Sequence, residues 1–179
     1  KDIEEYKNKY PEKFLKTSSY EKLSFMQFHK LLQQTKKKNA RSLDILCVED
    51  YVDHAETLQA LVEYFGHFGV IAENGTTALE LAKAKKYDAA IIDYHLPGGM
   101  DGKEVMIELK KITPNIQCII LTADTRQIIR DTFEEMDVKP FGFSSKAQGT
   151  NLLKKWLTEL SKKKEEKTAE VKKEEVKEA

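Results

Sequence analysis

Between residues 43 and 160, short apolar runs alternate with longer stretches in which apolar positions recur every three or four residues. Leu43-Asp44-Ile45-Leu46-Cys47-Val48, Ala89-Ala90-Ile91-Ile92 and Gln117-Cys118-Ile119-Ile120-Leu121 are short and bounded by polar or turn residues. They predict strands, and a parallel strand covered on both faces reads as almost continuously apolar in this way. Gly69-Val70-Ile71-Ala72 and Phe141-Gly142-Phe143-Ser144-Ser145 predict two more. Helices fill the intervals. Ala55, Leu58, Leu61, Val62 and Phe65 define the first, and Gly66 ends it. Asn74-Gly75-Thr76-Thr77 reads as a turn and cap ahead of Ala78, Leu79 and Ala82, with Lys85-Lys86 closing the second. Val105, Ile107, Leu109 and Ile112 follow Gly102 and stop at Thr113-Pro114, because the residue before proline avoids the helical region. Ile128, Ile129 and Phe133 predict a helix over 125–136, and Leu152, Leu153, Trp156, Leu157 and Leu160 predict the last.

Five strands and five helices in strict alternation predict an α/β fold, a doubly wound parallel sheet of five strands, since such crossovers are right-handed. The flanks read differently. In residues 20–34, Leu23, Phe25, Met26, Phe28, Leu31 and Leu32 give a broad apolar face, predicting a helix that must dock on something. The basic run Lys36-Lys37-Lys38-Asn39-Ala40-Arg41 follows as a linker. Residues 161–179 are a Lys/Glu tract, which suits either an extended helix or a disordered tail. The expected organisation is therefore an N-terminal helical extension or linker at 1–42, a domain at 43–160 and a charged tail at 161–179. Residue 1 is Lys rather than Met, which leaves open a longer parent chain.

The formal net charge of zero hides a division. Residues 1–42 carry 11 Lys/Arg against 5 Asp/Glu, residues 43–160 carry 12 against 19, and residues 161–179 carry 7 against 6. A negative domain argues against nucleic acid as its direct partner and suits a bound cation. No run approaches membrane-spanning length, so no membrane insertion is expected. Cys47 and Cys118 fall inside two strands expected to flank a third, too far apart for a disulfide. Buried free thiols point to a reducing compartment, the cytoplasm.

The chemistry collects where the strands end, the edge at which open α/β sheets bind ligands. The first strand runs into Glu49-Asp50, the third into Asp93, the fourth into Thr122-Ala123-Asp124 and the fifth into Lys146. Three carboxylates suit a hard divalent cation. The cation makes one carboxylate a tolerable acceptor for a phosphoryl group, whose oxygens a hydroxyl and a lysine can stabilise. Each residue alone has a plainer reading. Asp93 would be a turn residue or cap, Glu49-Asp50 a cap for the next helix, Thr122 a strand end, Lys146 solvated and Phe143 core. Only their conjunction favours chemistry.

These separated motifs, in this order, resemble the receiver domain of two-component response regulators over roughly residues 43–160. The resemblance implies a flavodoxin-like sheet of strand order 2-1-3-4-5, with strands 1 and 3 adjacent. It makes Asp93 the phosphoacceptor. Asp50 becomes a direct ligand of Mg2+ (or Mn2+), Glu49 a partner through water, and the backbone carbonyl of His95 a further ligand. Thr122 and the amide of Ala123 contact the phosphoryl group, and Lys146 pairs with it. Thr122 and Phe143 occupy the switch positions. The implied phosphodonor is a histidine kinase or phosphotransfer protein, and the output is contact with a downstream protein. The domain is not an enzyme beyond supporting its own phosphoryl transfer and loss.

The match departs from the family in several places. Ala147 follows Lys146 where proline is usual, and a cis bond there would cost roughly 3 kcal/mol more than trans. The loop Leu96-Pro97-Gly98-Gly99-Met100-Asp101-Gly102 is one residue longer than the commonest spacing, and Phe143 replaces the more frequent tyrosine. His95 and Asp124 stand two residues past Asp93 and Thr122, positions that in the family tune the loss of the phosphoryl group. The competing readings are a receiver-like protein-interaction platform that no longer depends on phosphorylation, and a phosphatase with an aspartate nucleophile. The second is disfavoured because such enzymes often carry another Asp where His95 stands.

Overall fold

The computed structural model describes residues 41–124 and 126–178, with residues 150 and 172–178 described by their backbone alone. The amphipathic helix expected at 20–34, and the basic linker up to Ala40, lie outside the described residues. The elements run β1 (Asp44–Val48), α1 (Val52–Tyr64), β2 (Phe68–Ala72), α2 (Gly75–Ala84), β3 (Ala89–Ile92), α3 (Gly102–Ile112), β4 (Gln117–Thr122), α4 (Gln127–Glu134), β5 (Gly142–Ser145) and α5 (Lys146–Glu178). The sheet has the order β2-β1-β3-β4-β5, and every pairing is parallel. This is the flavodoxin-like order that the resemblance implied.

Alternation along the strands builds two cores from the same residues. Leu46, Val48, Ala90, Ile92, Cys118 and Ile120 face α2, α3 and α4, where Ala78, Ala82, Val105, Met106, Leu109, Ile129 and Phe133 meet them. Ile45, Cys47, Ala89, Ile91, Ile119 and Leu121 face α1 and α5, against Val62, Leu153, Leu157 and Leu160. Each large aliphatic side chain buried here contributes about 1.5–3 kcal/mol. Cys47 and Cys118 point into opposite cores from strands separated by β3, and both are free thiols. Burial pushes both thiols up, Cys118 to about 12.

Local signals set most of the boundaries. Gly66, at φ 97°, closes α1: its amide donates to the carbonyl of Glu63, and that of His67 to Val62. This is a Schellman closure, which favours glycine at the left-handed position. Asn74 caps α2 by accepting from the amide of Thr77 at 2.9 Å. Asp101 and Glu104 form a reciprocal capping box at the start of α3. The plainer reading of Glu49-Asp50 as a helix cap does not hold: Tyr51 occupies the N-cap of α1 and makes no side-chain cap bond. Helix α4 is shorter than the expected 125–136. It begins at Gln127, with Arg126 as N-cap, and the Asp124 carboxylate accepts from the amide of Arg126 at 3.0 Å just ahead of it.

The end of the chain is continuous. With Ala147 in place of proline, β5 passes directly into α5, and no cis peptide occurs among the described residues. Helix α5 has 33 residues, roughly 50 Å at 1.5 Å per residue, and carries on through the Lys/Glu tract. Lys164 Nζ reaches Asp88 Oδ2 at 2.6 Å and the Ser42 carbonyl at 2.9 Å. Glu165 pairs with Arg41 at 2.7 Å, and the Ser161 hydroxyl donates to the Arg41 carbonyl. The tract is thus helical and fastened where β1 and β3 begin.

Candidate functional site

The adjacency of β1 and β3 determines the site. The amide of Asp93 donates to the Val48 carbonyl at 2.9 Å, which places the residues following both strands side by side. Glu49 is buried at 4% exposure and Asp93 at 8%, while Asp50 is exposed. Carboxylate oxygens of Glu49, Asp50 and Asp93 lie within 4.8 Å of one another. An octahedral shell with oxygens at roughly 2.1 Å has its opposite ligands about 4.2 Å apart, so small side-chain adjustments bring the three onto one ion. The donor set is all oxygen, which fits Mg2+ or Mn2+.

Lys146 neutralises this cluster. As the first residue of α5 it carries Nζ to 2.7 Å from Asp93 Oδ2, and to 2.9 and 2.7 Å from Glu49 Oε1 and Oε2. Burial opposes its charge, but the hydrogen bonds to Asp93 and Glu49 outweigh burial and raise its pKa. Two nearly buried carboxylates are tolerable only with such a counter-charge. His54, on the first turn of α1, places Nδ1 3.4 Å from Glu49 Oε1.

The backbone beyond Asp93 is fixed by Gly102. A Cβ at Gly102 would lie 2.3 Å from the Asp93 carbonyl oxygen and 2.8 Å from Tyr94 Cα, so only glycine lets α3 start this close to the end of β3. Its amide donates to the Tyr94 carbonyl at 2.8 Å, and the His95 amide approaches Asp93 Oδ1 at 3.3 Å. The His95 ring reaches across to the β4–α4 turn, with Nε2 3.0 Å from Asp124 Oδ2. Arg126 Nε donates to both Asp124 oxygens at 2.9 Å. Those Arg126 contacts, then His95, hold the Asp124 carboxyl well below the usual carboxylate range.

Thr122 ends β4 fully buried, and its hydroxyl accepts from the Asp124 amide at 3.1 Å. Ala123 is exposed beside it. The structure thus brings Glu49, Asp50, Asp93 and Lys146 together, with Thr122 at the end of β4 and Ala123 and His95 just beyond the strands beside them. Phe143 is elsewhere. It is half-buried, 5.4 Å from the Phe133 ring, with the Arg130 guanidinium 5.1 Å over its face. Sequence reasoning passed over His54 and Arg126. The position of His54, one turn beyond Asp50, was available as a signal. The grip of Arg126 on Asp124 depends on a turn that no periodicity encodes.

Comparisons with known proteins bear on the family and the fold. The family model "Response regulator receiver domain" matches residues 45–158. Transcriptional regulatory protein ZraR of Klebsiella oxytoca is 36% identical over 85 residues, covering 48% of this chain. This chain spans 19% of that regulator's length. A response regulator receiver protein of Anaeromyxobacter is 38% identical over 78 residues, 44% of this chain and 32% of that protein. Among solved structures, a receiver domain of Clostridium thermocellum superposes with a TM-score of 0.60 at 24% identity, over 68% of this chain and 95% of its own. The receiver domain of a Pseudomonas aeruginosa sensor histidine kinase, solved with magnesium coordinated in its active-site cleft, gives 0.58 at 23% identity, over 67% of this chain and 98% of its own.

Proposed function

Because the chain belongs to the response regulator receiver domain family, we propose that it is a phosphoacceptor signalling domain that takes a phosphoryl group on Asp93 from a histidine kinase or phosphotransfer protein. In the transfer, an Asp93 carboxylate oxygen forms the new P–O bond as the donor's P–N bond breaks. The observation that carries the reading is the convergence of Glu49, Asp50 and Asp93 on one point, with Lys146 bridging two of them. Glu49 (through water), Asp50, Asp93 and the His95 carbonyl would hold Mg2+ or Mn2+. The metal would neutralise the negative charge shared between the acceptor carboxylate and the incoming phosphoryl group. The magnesium-bearing Pseudomonas receiver supports the same use of this edge.

Each remaining group has a task. Lys146 follows the phosphoryl oxygens as a point charge, and the Thr122 hydroxyl and Ala123 amide supply neutral donors. The output is contact with a downstream protein, and the absence of a disulfide between Cys47 and Cys118 fits action in the cytoplasm. Among the described residues no helix is long and apolar enough to cross a membrane.

Intact-mass measurement after incubation with acetyl phosphate and Mg2+ tests the proposal. The parent should gain one phosphoryl group, and Asp93→Asn none. A folded parent that gains nothing would favour a protein-interaction platform independent of phosphorylation.

A further inference from the structure

Arg126 stands outside the groups that would bind the metal or the phosphoryl group, yet it ends a chain of contacts that begins at Asp93. The His95 amide approaches Asp93 Oδ1 at 3.3 Å, and the His95 ring puts Nε2 3.0 Å from Asp124 Oδ2. On the other side the Asp124 amide donates to the Thr122 hydroxyl at 3.1 Å. Strands β3 and β4 are neighbours, so this side-chain bridge joins the residues just beyond Asp93 to those just beyond Thr122. Tyr94 holds the imidazole edge-on, with 5.0 Å between ring centroids. Arg126 holds the carboxylate. Its amide and Nε donate to Oδ1 at 3.0 and 2.9 Å, and Nε and Nη2 to Oδ2 at 2.9 and 2.5 Å. With His95 that makes five contacts on a group with about four lone-pair positions, so Asp124 has none left with which to orient a water.

We propose that Arg126 is a positioning residue: by fixing the Asp124 carboxylate against His95 it keeps the approach to Asp93 bridged, and so slows both the gain and the loss of the phosphoryl group. The inference rests on Asp93 as phosphoacceptor, the reading given under the proposed function. Phosphoryl transfer is in line, with the attacking and leaving groups on opposite sides of phosphorus. When acetyl phosphate is the donor, an Asp93 oxygen bonds to phosphorus as the bond to acetate breaks, and acetate departs. In hydrolysis a water oxygen bonds to phosphorus as the bond to Asp93 breaks. The products are the free carboxylate and dihydrogen phosphate, which keeps both protons of the water. Departing acetate and attacking water therefore use the same side of phosphorus, the outer one, toward which His95 and Asp124 extend from the strand ends. Opening the bridge serves both steps. Its members are largely exposed, 55% for the His95 side chain and 70% for that of Arg126, and exposed ion pairs are individually weak, so the effect is a few-fold.

Two rates measured on the full chain by intact mass in Mg2+ test this: phosphorylation by acetyl phosphate, and loss after the donor is removed. Arg126→Gln should speed both by about threefold, leaving the phosphorylated fraction at steady state near the parent's. Arg126→Lys, which keeps the charge but not the planar fork, should fall between the two. Asp124→Ala should speed both at least as much as Arg126→Gln. A substitution that merely loosened packing would not raise the two rates together. Loss accelerated alone in Arg126→Gln, or slowed in Asp124→Ala, would make Asp124 a group that orients water and overturn the bridge. Rates equal to the parent's in Arg126→Gln would overturn the role of Arg126 and leave Asp93 standing as acceptor. A folded parent that gains no phosphoryl group would remove that assignment, and the inference with it.

Discussion

Lys146 is the residue on which the electrostatics of the site depend. Its ammonium sits between two carboxylates that are almost out of water, and removing one partner of a buried ion pair commonly costs about 3–5 kcal/mol. Lys146 keeps 23% of its side chain exposed, so the lower end of that range applies. Lys146→Met should therefore lower stability by about 3 kcal/mol at neutral pH, as read by urea unfolding. Without the lysine, the Glu49 and Asp93 carboxylates face each other with no counter-charge between them, so the deficit should shrink in acid. A deficit that stays constant from neutral to acid pH would show that packing, not charge, holds the residue. In the parent the sign is the usual one for a raised lysine: its contribution is complete below the ordinary lysine value and is lost as pH rises through the higher folded one. Asp124 has the opposite sign. Its lowered folded pKa makes its contribution present above the ordinary carboxylate value and lost only as pH falls through the depressed one. In a carboxyl carbon-13 titration Asp124 should stay ionised after ordinary carboxylates have protonated. Arg126→Gln should move its titration back up, and an unmoved titration would refute the assigned cause.

At the level of elements, the sequence was most readable where strands stop. The apolar runs of β1, β3 and β4 give way to Glu49, Asp93 and Thr122, so these were legible as strand ends, as was Lys146 after β5, and the alternation of elements indicated that those ends share one edge. The order of the strands was not legible from periodicity and came from the resemblance. The β5–α5 junction was also opaque, because Ala147 removes the proline that marks a loop without showing what replaces it. The Lys/Glu tract was ambiguous for a physical reason: a solvated helix and a disordered tail have the same composition. Lys164 decides it by reaching Asp88 and the Ser42 carbonyl, contacts 76 and 122 residues away in sequence. That clamp predicts a local effect. Lys164→Ala should speed amide exchange in residues 161–171 while leaving the sheet protected, and unchanged exchange would mean the helix holds itself through pairs such as Glu159–Lys163. Higher on the same helix, Trp156 lies flat against Gly142, where a Cβ would meet the indole at 2.7 Å. Gly142→Ala must push α5 off β5 and should cost about 1–3 kcal/mol in unfolding free energy.

Across the whole molecule the question is how a charge at Asp93 is read at the surface. In this structure Thr122 is engaged with the Asp124 amide, and Phe143 lies at the edge of the core between Phe133 and Arg130. A phosphoryl group on Asp93 would draw the Thr122 hydroxyl toward it and open space behind β4, into which Phe143 can turn. If Phe143 turns in this way, the magnitudes would make a balanced switch. Phe143 is already half-buried, so completing its burial contributes about 1 kcal/mol, part of the 1.5–3 kcal/mol for a whole ring. Leaving the Arg130 guanidinium costs about 0.5–1 kcal/mol. With no phenolic hydroxyl to add a hydrogen bond, packing alone must bias the equilibrium, and the net shift is only a few-fold. Two consequences follow for hydrogen exchange over residues 126–146, measured with and without beryllofluoride and Mg2+. Phe143→Ala should still accept a phosphoryl group on Asp93 but show a weaker response across α4 and β5. Arg130→Ala, which frees the ring, should move the unphosphorylated protein toward the responding pattern. If both variants respond as the parent does, Phe143 is a core residue, and the signal leaves through α5, which begins at Lys146 itself.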